Sequence, residues 1–157
     1  MIGLGENFNA VLDQIELVRR KQLMYTIFKF QDKNTTLYEI KDSTKNPEEA
    51  KRFTAKKEED LQQHFEEFKS KIKNYGCCYS IFDFETTLED GTPRSMIFLI
   101  ALIPDSKSTR EEKFLYASHT NTITNRINIA AKLVQINSYD DLSYEYLKSI
   151  CLSVKKG

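Results

Sequence analysis

Glycine, proline, cysteine and histidine are all scarce in this chain: five Gly, three Pro, three Cys and two His in 157 residues. None of the glycines forms a phosphate-cradling loop, and neither Gly-x-Ser-x-Gly nor His-Glu-x-x-His occurs. The two histidines, His64 and His119, have no adjacent nucleophile motif that a general base would serve. Asp83 and Glu85 alternate along one stretch, but a structural role or solvation at a strand end suits them better than acid–base work. The expectation is a protein that is not an enzyme and carries no cofactor and no metal. A surplus of one charge is also missing, because Lys+Arg and Asp+Glu both total 23. A nucleic-acid module is usually strongly basic, so no nucleic-acid partner is expected and electrostatic recognition must be local.

Long hydrophobic runs are absent too. The longest, Met96 to Ile103, is far too short to cross a bilayer, so no membrane span is expected. The first residues, Met1-Ile2-Gly3-Leu4-Gly5-Glu6, lack a basic segment followed by a long apolar one, which makes a cytosolic location the default expectation. Cys77 and Cys78 are adjacent and would point to opposite faces of a strand, which poorly serves one metal or one bridge. With Cys151 they read as small apolar residues in a reducing compartment.

What is present is periodic apolar sequence. Phe8, Val11, Leu12, Ile15 and Val18 recur at helical spacing and predict a helix over 7–20. Stretches 24–30 and 35–40 read as strands joined through Asp32-Lys33-Asn34. Leu61, Phe65, Phe68 and Ile72 mark a second helix stopped near Gly76. Strands follow over 78–86 and 94–103, with Asp90-Gly91 supplying the turn, and the apolar run of the latter suits a central strand covered on both faces. Lys132 to Ile136 is a further strand. Leu147, Ile150, Cys151 and Val154 give a last helix reached through 138–143. Between them, 108–127 is ambiguous: its Thr and Asn residues disfavour helix, yet Tyr116, Ile123 and Ile127 keep a helical stripe.

From Tyr79 to Ser118 the pieces occur in a telling order. They are Tyr79-Ser80-Ile81-Phe82-Asp83-Phe84-Glu85, then Glu89-Asp90-Gly91, the run Met96 to Ile103, Pro104-Asp105, and Lys113-Phe114-Leu115-Tyr116-Ala117-Ser118. This resembles the actin-depolymerising factor/cofilin family over nearly the whole chain. The resemblance implies a helix over 108–127. It also implies an α/β (α+β) fold: one domain over 1–157, with a mixed, mostly antiparallel sheet of five to six strands sandwiched between helices. The charged stretch around 42–60 is longer than is usual in the family and reads as an insert, a solvated turn with a helical extension.

The same resemblance implies function: binding to monomeric actin and to filament sides, with severing or depolymerisation, in the cytoplasm and cytoskeleton. The alternative is a relative of glia maturation factor, or an adaptor, acting on the Arp2/3 complex with weak filament activity. Residues implied to meet monomeric actin are Gly3, Leu4, Gly5, Arg110, Lys113, Phe114, Thr120, Thr124 and Arg126, with the turn before the last helix contributing. Phe114 stands at the family's usual methionine, as an apolar anchor, with Leu115 and Tyr116 competing for the core. Thr120 stands where the family carries a lysine, and of a later basic cluster only Arg126 remains. For filament sides the implied set is Arg94, Lys148, Lys155 and Lys156, thinned because Pro93 and Met96 replace lysines common in the family. Phosphoinositide headgroups are a further expected partner, and a monomer is the expected state. The first serine is Ser43, so the family's N-terminal phosphorylation switch has no acceptor before it.

Overall fold

Among the described residues nine main elements follow one another: α1 Phe8–Arg19, β1 Leu23–Phe30, β2 Tyr38–Lys45, α2 Glu58–Ile72, β3 Cys78–Thr87, β4 Pro93–Leu102, α3 Arg110–Arg126, β5 Lys132–Ile136 and α4 Tyr144–Ser153. The computed structural model describes residues 8–30, 38–45, 58–127 and 129–153. The five strands lie in the order β2-β1-β3-β4-β5. All neighbours are antiparallel except β4 and β5, which run parallel. That one parallel pair is why a long crossover, α3, must connect β4 to β5.

Side-chain alternation on the central strands divides the core into two layers. On β3, Cys78, Phe82 and Phe84 face α2 and α4, and they pack with Leu61, Phe65, Phe68, Tyr144 and Leu147. Cys77, Tyr79 and Ile81 face the other way, toward Phe8, Val11, Ile15, Val18, Tyr116 and Ile123 of α1 and α3. β4 divides likewise, Phe98, Ile100 and Leu102 against Leu99, Ala101 and Ile103. A strand with helices on both faces must be apolar on both, which accounts for the uninterrupted run in β4. Phe68 stacks on Phe82 with ring centroids 4.3 Å apart, at the centre of the α2 layer.

The β3–β4 hairpin closes as its Asp-Gly pair requires. Gly91 has φ +86°, Leu88 N–H donates to Thr92 O at 2.8 Å, and Thr92 N–H donates to the Asp90 carboxylate at 2.9 Å. Gly76, at φ +64°, ends the turn after α2.

Two sequence expectations are sharpened here. The second strand does not stop at Ile40 but runs to Lys45, pairing back to Leu23 with two register irregularities. An edge strand needs only its backbone to pair, so a charged segment such as 41–45 extends the ladder without the apolar alternation that marks inner strands. Residues 42–45 of the presumed insert are therefore strand and 58–60 open α2, while 46–57 lie outside the described residues. The second concerns Asp83 and Glu85, where of the two readings offered, a structural role or solvation at a strand end, only the structural one remains: both are buried, and Lys21 donates to the Asp83 carboxylate at 3.0 Å from the turn after α1.

Candidate protein-binding surface

α3 begins where the chain leaves β4. Asp105 N–H donates to Asn137 O at 2.9 Å, which pins the Pro-Asp exit to the end of β5. Thr109 is the N-cap: its hydroxyl accepts from Glu112 N–H at 3.1 Å, and the Glu112 carboxylate accepts from Thr109 N–H at 3.1 Å. This reciprocal box satisfies two of the amide groups that a helix start leaves unpaired. The Thr-x-x-Glu signal stands in the sequence and would have fixed the helix start without any resemblance.

Only Tyr116, Thr120 and Ile123 of this 17-residue helix are buried. Tyr116 holds its centre: the hydroxyl accepts from Phe30 N–H at 2.9 Å, and its carbonyl accepts from Tyr79 Oη at 2.6 Å. Burial pushes the Tyr116 phenol well above its ordinary pKa. Tyr116 is thus the core residue, Leu115 half-joins it, and Phe114 turns outward with 74% of its surface exposed. Arg110, Phe114, Ala117 and Asn121, spaced by four and three, form an exposed outer stripe. Lys113 flanks it, with Nζ 3.7 Å from the Asp105 carboxylate.

The other implied monomer-binding residues divide. Thr120 cannot present its side chain to a partner: it is 5% exposed and donates to Tyr116 O at 2.9 Å. Its position on the buried stripe, four residues after Tyr116, is the cause. Thr124 is half-buried and donates to Thr120 O at 2.9 Å. Arg126 is exposed at the helix end, its guanidinium carbon 5.7 Å from the centroid of the Phe8 ring. Gly3, Leu4 and Gly5 lie outside the described residues. His119 is half-buried, its ring edge-on to Phe30 and its Nδ1 2.8 Å from Leu115 O.

On the opposite side of the sheet, the filament set is less free than the sequence suggests. Arg94 is half-buried, opposite Thr86 in the hairpin. Lys148 forms an ion pair with Glu58, which also accepts from Thr87 Oγ1 at 3.2 Å. The hydrogen bond from Lys148 is the main cause holding the Glu58 carboxyl below its usual range. Lys155 and Lys156 lie outside the described residues.

At the turn before α4, an open polar cleft of ≈ 460 Å³ is lined by Gln135, Ile136, Asn137, Asp140, Asp141, Ser143 and Tyr146. Among the described residues no group of three or more His, Cys, Asp or Glu could hold a metal ion, and no helix is long and apolar enough to cross a membrane. The feature that stands out is one long helix carrying an exposed aromatic residue, Phe114, on an outer stripe that also holds Arg110.

Comparison with known proteins gives the chain's relatives. The chain is 26% identical over 146 residues to actin-depolymerizing factor 8 of Arabidopsis thaliana, covering 93% of this chain and 92% of that protein. It is likewise 26% identical to an actin-depolymerizing factor of Vitis vinifera, covering 93% and 90%. Among solved structures, Plasmodium berghei actin depolymerization factor 2 superposes with a TM-score of 0.74 over 98% of both chains at 20% identity, a likeness of fold. The family model described as cofilin/tropomyosin-type actin-binding protein matches residues 6–151, and the chain belongs to that family.

Proposed function

We propose that this protein binds monomeric actin through the start of α3, binds filament sides more weakly through the β3–β4 hairpin and α4, and promotes depolymerisation and severing. It works by binding and not by catalysis, shifting populations of actin states through unequal affinity for them. The names of the plant relatives support depolymerisation as its activity. Cytoplasm and cytoskeleton are the locations that follow from this reading.

One observation carries the proposal: Phe114 is 74% exposed while its neighbour Tyr116 is buried. A folded protein gains nothing by leaving a phenylalanine in water beside Lys113 and one turn after Arg110. An aromatic anchor ringed by polar groups is what interface hot spots look like. Replacing Lys113 and Phe114 together with Ala should weaken binding to monomeric actin about tenfold or more, since hot-spot truncations cost roughly 2 kcal/mol. Thermal stability should hardly change, because exposed substitutions usually stay within about 0.5 kcal/mol. Unchanged affinity for monomer, or capture of the Arp2/3 complex with no binding to actin in parallel assays, would overturn the reading.

A further inference from the structure

α3 is a long helix with few attachments, so what holds its far end decides how its outer stripe is presented. Its middle is bolted to the sheet by the two hydrogen bonds at Tyr116. Its last turn has Ile123 in the core and Arg126 lying over Phe8. Phe8 is fully buried against Phe28, with ring centroids 6.2 Å apart, and is the first residue of α1. A guanidinium over an aromatic face is attracted by the ring's negative π surface. The same cation also sits in the final turn of the helix, where the backbone dipole favours positive charge.

We infer that Arg126 is a positioning residue that clamps the last turn of α3 onto the first turn of α1, and thereby fixes the angle at which Phe114 and its stripe meet the partner. It therefore supports binding through Phe8 and not by reaching the partner itself. The inference rests on the proposed actin-binding role of α3 for its functional half only.

A double-mutant cycle separates the two modes. Wild type, Arg126→Ala, Phe8→Leu and the double variant are titrated with fluorescently labelled monomeric actin. Hydrogen exchange of residues 8–12 and 121–126 is followed in the free proteins. The expected result is a loss of about two- to fivefold in affinity for Arg126→Ala, the range an exposed cation–π contact supplies. That loss should vanish in the Phe8→Leu background, and Arg126→Lys should restore most of it. Exchange at both helix ends should quicken in Arg126→Ala with the global melting temperature retained. If Phe8→Leu fails to fold, Phe8→Met takes its place, keeping bulk without a ring. An equal loss in both backgrounds would mean that Arg126 touches the partner directly and would overturn the inference, as would unchanged exchange. Wild type that binds no actin would overturn the functional reading alone, and the exchange measurement would still decide the clamp.

Discussion

Tyr116 is where several demands on one side chain meet. Its hydroxyl accepts from Phe30 N–H, and its carbonyl accepts from both Tyr79 Oη and Thr120 Oγ1. Tyr116→Phe would remove the buried hydroxyl to which the Phe30 amide donates, so a loss of about 1–3 kcal/mol is expected in urea unfolding. Tyr79→Phe removes a donor from a carbonyl that keeps another, and should cost nearer 1 kcal/mol. An equal cost for both would show that the amide finds water. The same geometry bears on what a reader of the sequence can recover. The resemblance singled out Phe114 as the expected anchor, but its exposure was not legible, because Phe114, Leu115 and Tyr116 are all apolar in a string of letters. Thr120 misled for the opposite reason: a polar residue at the family's lysine suggests the surface, while four-residue spacing from Tyr116 puts it inside. Arg126 gave no hint of Phe8, more than a hundred residues away.

Among the elements, α3 shows most plainly how local and tertiary preferences divide the labour. Thr and Asn dominate its second half, and two of its threonines satisfy their hydroxyls on the carbonyl four residues back. Such bonds reconcile the side chains with a helix that propensity alone would not choose. The N-cap therefore matters more than usual. Thr109→Ala should cost about 1 kcal/mol, the ordinary value of a cap. With so few buried residues to hold the helix, the effect should appear as faster amide exchange over its first two turns. Slow exchange there in the variant would show that the Asp105–Asn137 link alone secures the start. The other described elements were visible in order from residue pattern, since each inner strand and each of the other three helices buries a regular face, whereas α3 was expected only through the resemblance. β2 was misjudged by five residues because an edge strand owes its length to backbone pairing, about which side-chain pattern says little.

For the molecule as a whole, the sheet separates two charged surfaces, one on α3 and one near α4. On the latter, Lys148 is partly neutralised by Glu58. A filament contact that relies on it should be weaker and more salt-sensitive than the contact proposed for α3, since exposed pairs are worth under about 1 kcal/mol and are screened. Glu58→Gln would release Lys148 and should strengthen filament co-sedimentation at low salt, by less than about fivefold. No gain would show that Lys148 does not meet the filament. The pair also has an acid signature. Because the folded carboxyl titrates below its ordinary 4.5, its contribution is present above that pH and is lost as pH falls through the lowered value. Lys148→Met should lower stability at neutral pH by that contribution and flatten the fall through the acid window, leaving stability below it little changed. A profile of unaltered slope would count against the pairing. At the alkaline end, burial pushes the Tyr144 hydroxyl up to about 12, so the stability it contributes is complete below pH 10 and fades above it. Finally, Cys77 and Cys78 are neighbours in the chain yet belong to different sides of the sheet, and both are buried and free. The protein therefore carries two natural reporters, one sealed beneath α1 and α3 and the other beneath α2 and α4. A thiol reagent counted by mass at each site would reveal whether the two halves of the interior open in one cooperative event or come apart in sequence.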